Sequence, residues 1–232
     1  MSSKWSLPKN DPWSTPFAES LLHFLEIRKG DQILDIASGG GIPAFYLADQ
    51  VGLEGTVLAV DIHQSQILRS RTIQGTDLPW LRFEVGDMRF LPADLPMFDR
   101  ITGNLSFMFF RPNRFEALQN LVRFLKPGGQ IVLTFPSLGT FDSLWDQVDK
   151  EMAALGLKDE RNALHEYINE RPSALQAEEW LKELGLKKVL VIEQPLEILT
   201  GSGRSFLEHP LLRGGFLDDI YECFQDQERA NE

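Results

Sequence analysis

Short apolar runs that alternate with helical patterns are the feature of this sequence that most constrains its fold. Five such runs are predicted strands within the first 137 residues, namely QILDIA, GTVLAVDI, LRFEVGD, FDRITGNLS and GQIVLTFPS. Continuous apolar runs are typical of strands buried on both faces, and helices between them indicate βαβ units. A helix with Thr15 as its N-cap is predicted before the first strand. The sequence therefore predicts an α/β protein with a doubly wound, mostly parallel sheet.

The pattern changes from Leu138 onward. Two further helical patterns, TFDSLWDQVDKEMAALGL and DERNALHEYINE, follow the fifth predicted strand and are interpreted as a helical cap insertion at residues 138–171. A third helix, SALQAEEWLKELGL, and a last strand, KKVLVIEQ, are predicted to complete the sheet within residues 172–232. We therefore expect a single domain, in which residues 14–137 form a cofactor-binding core.

Composition and charge argue against several classes of function. The chain has 34 acidic and 23 basic residues and no basic run, so we expect no nucleic-acid partner. One cysteine excludes an intrachain disulfide, and four histidines show no metal-ligand spacing, so no metal is expected. No segment reaches the roughly 18–20 apolar residues that span a bilayer, and the first residues lack the apolar stretch of a secretory signal. We expect a cytoplasmic monomer or homodimer with no membrane partner.

The glycine-rich stretch ASGGG stands where a parallel sheet binds its ligands, at the end of the first predicted strand. Gly39-x-Gly41-x-x-Ala44 fits a dinucleotide fingerprint, which would suit a nicotinamide-dependent reductase. Two residues disfavour that interpretation, because Asp35 would repel a diphosphate and Pro43 removes an amide N–H from the helix start. A ligand with a sulfonium, an ammonium and a single carboxylate suits the loop better, since its cationic side matches an acidic strand end.

Three acidic residues close three successive predicted strands, and together they are more specific than any one of them. They are Asp35, Asp61 and Asp87. Asp61 is placed to accept hydrogen bonds from both hydroxyls of a ribose. Asp87 is placed to accept one from an adenine amino group, while Met88 packs on the ring. Each acid also has a structural interpretation, as a cap or as an ion-pair partner, and the sequence leaves it open.

The motifs LDIASGGG, VDI, GDM, FDRIT and FLKPGG resemble, in order and spacing, those of class I S-adenosylmethionine-dependent methyltransferases. The similarity covers residues 15–137 and is greatest to the ubiquinone/menaquinone-biosynthesis type. It implies a Rossmann-like methyltransferase fold and S-adenosyl-L-methionine as cofactor. By this resemblance the cofactor site is lined by Asp35, Ala37, Gly39, Gly41, Asp61, Ile62, Asp87, Met88 and Asn104. Ala37 stands where the family has its first glycine, and alanine fits there if its φ stays negative.

The methyl acceptor is the least constrained part of the site. The residues predicted to wall an apolar acceptor pocket are Trp13, Phe107, Met108, Trp145, His165 and Tyr167. Phe107 and Met108 among them also have a structural interpretation as part of the core. No catalytic residue is assigned, although His63, His165 and His209 are candidates for a general base if the acceptor must lose a proton.

These observations predict an S-adenosylmethionine-dependent methyltransferase that acts on a small apolar or aromatic metabolite. The alternatives are a catalytically inactive module that binds the same cofactor and the disfavoured nicotinamide-dependent reductase. The segment 138–171 is expected to close over the acceptor as a mobile lid, with a role at the sheet edge or in a dimer contact as the alternative. The sequence does not separate O-, N- and C-methylation.

Overall fold

The structure is a computed structural model that describes residues 4–9, 11–107, 110–111, 113–198, 201–209 and 212–221. The chain divides into two compact units, Met1–Phe135 and Pro136–Glu232. The boundary falls within two residues of the predicted end of the cofactor-binding core at Ser137. Each unit is built from its own elements and is considered separately.

The first unit is a five-stranded sheet in which all neighbouring strands are parallel and the strand order is β3-β2-β1-β4-β5. Its strands are β1 Gln32–Ile36, β2 Thr56–Asp61, β3 Leu81–Val85, β4 Phe98–Gly103 and β5 Leu125–Leu133. Its helices are α1 Ser14–Phe24, α2 Ala44–Val51, α3 Gln64–Gln74 and α4 Arg114–Val122, with a 3₁₀ turn at Met88–Phe90. The order reverses between β1 and β4, which confirms the predicted doubly wound parallel sheet and places its switch point there.

Burial explains why the central strands were predictable from their composition. In β1 and β2 all residues but the first of each strand are buried, so apolar side chains occupy both faces. The edge strand β3 instead alternates, with Leu81 and Phe83 buried and Arg82 exposed. Its outward carbonyls are capped from α3, because Arg71 Nε donates to Phe83 O at 3.0 Å and Gln74 Nε2 to Leu81 O at 2.8 Å. Such capping blocks pairing along an exposed sheet edge.

The start of α1 differs from the prediction that Thr15 is its N-cap. Asp11 Oδ1 accepts hydrogen bonds from the amides of Trp13 at 2.9 Å and Ser14 at 2.7 Å, which satisfies donors ahead of the first turn. Thr15 lies inside the helix, and its Oγ1 donates to Pro8 O at 2.8 Å. The prediction was wrong because the helix begins at Ser14, one residue before Thr15, and Asp11 binds the amides at that start.

The second unit is helical in its described residues. Its helices are α5 Asp142–Ala154, α6 Lys158–Asn169, α7 Ala174–Glu183, α8 Gly203–Leu207 and α9 Asp218–Tyr221, with a π-helical turn at Arg213–Leu217. The three predicted helices after Leu138 are therefore confirmed as helices. No helix in the described ranges of either unit is both long and apolar enough to cross a membrane.

The strand predicted from KKVLVIEQ is wrong. Residues 187–194 are neither strand nor helix, and Lys188 has a φ of 56°, which an extended strand does not contain. Leu190 is 67% exposed and Ile192 46% exposed, so the apolar run of this segment is not buried as a central strand would be. The described residues of 172–232 accordingly add no strand to the sheet.

Candidate functional site

The glycine-rich loop turns sharply between the end of β1 and the start of α2. Ser38 N donates to Val60 O at 3.0 Å, which ties the loop to the neighbouring strand, and Gly41 N donates to Ser38 O at 2.8 Å, which closes the turn. Gly39 and Gly41 have φ values of 49° and 87°, in the left-handed region that glycine adopts without steric cost. A Cβ on Gly39 would meet no atom within 4 Å, so a ligand can approach its backbone closely.

Ala37 occupies this loop with a φ of 49°, so the condition under which alanine fits there, a negative φ, is not met. The next residue, Ser38, donates its N–H to Val60 O, so the chain turns back toward β2 at this point. A side chain with a Cβ in that conformation costs about 1–2 kcal/mol relative to glycine. The alanine is therefore a strained substitution at the position where the resembling family has glycine.

Asp35 is a fully buried carboxyl at the carboxyl end of β1. Thr102 Oγ1 donates to its Oδ1 at 2.7 Å, whereas its Oδ2 has no hydrogen-bond partner within the described residues. Burial raises the pKa of Asp35 to about 7, the Thr102 hydrogen bond opposes the rise, and the charge of Asp61 adds to it. The group is thus a poorly compensated carboxylate, and a cationic ligand would satisfy it.

Asp61 connects the end of β2 to the glycine-rich loop. Its Oδ2 accepts a hydrogen bond from Gly39 N at 2.8 Å, and its Oδ1 accepts one from His63 N at 2.8 Å. It therefore has the structural role that the sequence left open. Its Oδ2 can still accept one hydroxyl, and the predicted contact with both ribose hydroxyls stays a prediction. The adjacent Ile62 is 56% exposed and presents an apolar surface beside this carboxylate.

Asp87 is held by Arg89 of the following 3₁₀ turn. Its Oδ1 accepts from Arg89 N at 2.9 Å and its Oδ2 from Arg89 Nη2 at 2.6 Å. These hydrogen bonds from Arg89 lower the pKa of Asp87, which keeps the carboxylate ionised and oriented. Met88 next to it is half-buried. The predicted contacts of both residues with an adenine stay predictions.

Asn104, directly after β4, is buried and joins two other elements of the unit. Its Nδ2 donates to Ser14 O at 2.9 Å, and its Oδ1 accepts from Thr134 Oγ1 at 2.9 Å. Thr134 Oγ1 in turn accepts from Leu105 N at 2.9 Å. The side chain therefore fixes the loop after β4 against the start of α1, while its contact with a cofactor stays a prediction.

Two serines that the sequence analysis missed lie beside these residues. The hydroxyls of Ser38, after β1, and Ser106, after β4, are buried without a hydrogen-bond partner in the described part of the chain. A Cβ on Gly103 would overlap the Ser106 side chain and Ile36, which places Ser106 against the end of β1. Buried polar atoms are normally paired, so these hydroxyls and the free Asp35 oxygen fit a polar ligand at the switch point. Serine is common in loops, and sequence alone does not single these two out.

Of the residues predicted to contact an acceptor, Trp13 and Phe107 lie in the first unit, and each is 2% exposed. The Phe107 ring packs against Phe110 at 5.0 Å and Phe135 at 4.9 Å between centroids. This is the core environment that the sequence left open for it. Met108 lies outside the described residues.

The remaining predicted acceptor residues belong to the second unit. Trp145 and Tyr167 are buried around Arg171, whose guanidinium lies 5.4 Å and 5.2 Å from the two ring centroids. Both Trp145 Nε1 and Arg171 Nη1 donate to Thr140 O, at 2.9 Å and 2.8 Å. These aromatics thus form a cation–π cluster within their own unit. Their contact with an acceptor stays a prediction.

The histidines considered as general bases are bound to aspartates where the structure gives their contacts. His63 Nδ1 lies 3.1 Å from Asp61 Oδ1, and His165 Nε2 lies 2.8 Å from Asp149 Oδ1. His209 follows α8. Across the described ranges, no group of three or more His, Cys, Asp or Glu side chains is arranged to hold a metal ion. The geometry assigns no general base.

Known proteins with similar sequences are methyltransferases. A family profile described as a methyltransferase domain matches residues 33–129. The ubiquinone/menaquinone biosynthesis C-methyltransferase of Idiomarina loihiensis is 33% identical over 130 residues, covering 52% of this chain and 49% of the relative. The chloroplastic 2-phytyl-1,4-beta-naphthoquinone methyltransferase of Arabidopsis thaliana is 26% identical over 205 residues, covering 83% and 71%.

The fold comparison agrees with these relatives. The crystal structure of an arsenic(III) S-adenosylmethionine methyltransferase from Chlamydomonas reinhardtii matches with a TM-score of 0.51 and 19% identity, covering 73% of this chain and 62% of that one. The chain spans only about half the length of some curated relatives: the match covers 49% of the Idiomarina loihiensis protein and 41% of a methyltransferase from Streptomyces halstedii. The resemblance drawn from the motifs is confirmed, and residues 33–129 are a methyltransferase domain of the class I, S-adenosylmethionine-dependent family.

Proposed function

We propose that the protein is an S-adenosylmethionine-dependent methyltransferase whose acceptor is a small apolar or aromatic metabolite. The methyltransferase domain at residues 33–129 supports the reaction class. The single observation that carries the proposal is the buried carboxyl of Asp35 at the switch point, whose Oδ2 is unpartnered in the described residues, as are the hydroxyls of Ser38 after β1 and Ser106 after β4. A diphosphate would be repelled there, whereas a sulfonium cofactor with an ammonium group is attracted.

The side chains and backbone of the first unit fit the parts of such a cofactor. Asp35 Oδ2 would accept a hydrogen bond from the ammonium group, which would compensate both charges in a buried setting. The open backbone at Gly39 would allow the close approach of the methionine portion. Asp61 Oδ2, which accepts one hydrogen bond from Gly39 N, would accept a second from a ribose hydroxyl, and Ile62 would lie against the adenine ring.

The chemistry requires little of the protein beyond alignment and exclusion of water. The cofactor, when bound, supplies a methyl group that its sulfonium has already activated for displacement. The loops after β1 and β4, held by Asp61 and Asn104, would orient the donor toward an acceptor. Proximity and orientation of this kind lower a barrier by about 7–11 kcal/mol. A general base is needed only for an acceptor that must lose a proton.

Two observations favour an apolar ring compound as the acceptor. Trp13 precedes Ser14, whose carbonyl binds Asn104, and Phe107 follows Asn104 by three residues, so aromatic side chains flank this loop. Two relatives are named for ubiquinone and menaquinone biosynthesis and for a phytylated naphthoquinone. The arsenic(III) acceptor of the Chlamydomonas protein is not proposed, because soft acceptors favour thiolates and this chain has one cysteine.

The experiment combines binding and turnover. S-adenosylhomocysteine should raise the melting temperature of the wild-type protein, because it binds the folded state, whereas NAD and NADP should not. Methyl transfer from tritiated S-adenosylmethionine should then be measured against a panel of quinols, phenols and anionic hydrophilic controls. Binding without transfer to any acceptor would favour a catalytically inactive cofactor-binding module. Stabilisation by a dinucleotide alone would contradict the proposal.

A further inference from the structure

The N-terminal segment packs against the glycine-rich loop through one aromatic stack. The Trp5 ring lies parallel to Phe45 with centroids 4.7 Å apart and an interplanar angle of 11°. The Phe45 ring also packs on Phe83 of β3 at 5.3 Å. Phe45 belongs to the first turn of α2, directly after the glycine-rich loop.

The Phe45 ring occupies the space beside Gly41. A Cβ built on Gly41 would lie 2.5 Å from Phe45 Cε2 and 2.8 Å from Cδ2, so only glycine fits under the ring. Phe45 N also donates to Gly41 O at 3.1 Å. Gly41 has no side chain to restrict its own backbone, and its φ of 87° is restrained by this ring and hydrogen bond.

The other end of the same N-terminal segment is attached to the loop after β4. Asn104 Nδ2 donates to Ser14 O at 2.9 Å, and Thr15 Oγ1 donates back to Pro8 O at 2.8 Å. The segment therefore connects two loops of the candidate cofactor site, the one at Gly41 and the one at Asn104. The Lys4–Asp77 ion pair at its start is exposed and contributes little to this attachment.

We propose that Trp5 is a positioning residue for cofactor binding, acting through Phe45 on the backbone at Gly41. The inference rests on the proposed function, in which this loop holds S-adenosylmethionine. By covering one face of the Phe45 ring, Trp5 restricts the ring, and the ring holds the loop in one conformation before the cofactor binds. A loop that is ordered in advance loses less entropy on binding, so its ligand is held more tightly.

The test is the affinity of S-adenosylhomocysteine, measured by calorimetry well below each variant's melting temperature. Trp5→Ala should weaken binding about 3- to 10-fold, which is the range of one aromatic stacking pair. Trp5→Phe should restore affinity to within about 2-fold of wild type, because a ring remains on Phe45. Trp180→Ala, which removes a half-buried tryptophan from the second unit, is the matched control and should leave affinity unchanged.

A double-variant cycle separates positioning from general destabilisation. Phe45→Leu should weaken binding by a similar factor, and adding Trp5→Ala to it should cause no further loss, because Trp5 acts through Phe45. Independent, additive losses would overturn the inference, as would a Trp5→Ala variant that binds as tightly as wild type. A wild-type protein that binds no S-adenosylhomocysteine would instead contradict the proposed function, and the inference would fall with it.

Discussion

Replacing Asp35 by asparagine should make the stability of the protein less dependent on pH. The pKa of Asp35 is about 7 in the folded protein, mainly through burial, against an ordinary value of 3.8. The folded state therefore binds the proton more tightly than the unfolded state does. Stability is unaffected by this group below the ordinary pKa, falls as pH rises from there to about 7, and stays reduced at higher pH.

The magnitude follows from the difference between the two pKa values. Each pKa unit corresponds to about 1.4 kcal/mol, so ionised Asp35 reduces the free energy of unfolding by about 4 kcal/mol at most. Asparagine keeps the shape and can still accept the hydrogen bond from Thr102, but it cannot ionise. Its NH2 group takes the place of the unpartnered Oδ2 and leaves buried N–H donors unpaired, a cost of at least about 1–3 kcal/mol that does not change with pH. The stability of the variant relative to wild type should thus rise by about 3 kcal/mol between about pH 5 and pH 8.

The assay is urea unfolding followed by tryptophan fluorescence, in the absence of cofactor, at several pH values across that range. Asp94→Asn is the matched control, because it removes one carboxylate from an exposed loop position, and its stability difference should stay constant. A difference between Asp35→Asn and wild type that does not change with pH would refute the reasoning. It would mean that burial does not raise the pKa of Asp35 in the folded protein.

Three further predictions concern the same site. Affinity for S-adenosylhomocysteine should fall about tenfold on acidification from about pH 8 to pH 6 by calorimetry, because ionised Asp35 is the form that attracts a cation; a flat profile would exclude it. Ala37→Gly should raise the free energy of unfolding by about 1 kcal/mol in urea titrations, since φ is positive there, and a loss would contradict the strain. Asp61→Ala should weaken S-adenosylhomocysteine binding by about 1.5–3 kcal/mol, and it should also lower the melting temperature because Gly39 N and His63 N lose their acceptor. Unchanged affinity in a folded variant would remove Asp61 from the site.

The sequence by itself determined the central strands of the sheet and the edge at which three acidic side chains stand. The central strands β1 and β2 are buried on both faces, so their signal is a continuous local run of apolar residues that needs no knowledge of partners. The strand-end positions of Asp35, Asp61 and Asp87 follow directly from those runs, because parallel strands bring their carboxyl ends to one edge. The helices after Leu138 were likewise predictable from their periodicity.

The tertiary structure decided everything that depends on contacts between distant residues. Residues 187–194 contain a continuous apolar run of the kind found in buried strands, but a strand also needs a paired edge and a buried face, and the described chain supplies neither. The positive φ of Ala37 occurs where the next residue binds Val60, which lies on another strand, and a local pattern does not contain that contact. The pKa of Asp35 depends on complete burial, and the link from Trp5 to Gly41 passes through Phe45. A local sequence pattern predicts which segments form helices or strands and which residues are polar. Desolvation, backbone strain and side-chain stacking depend on contacts that form only when the chain is packed.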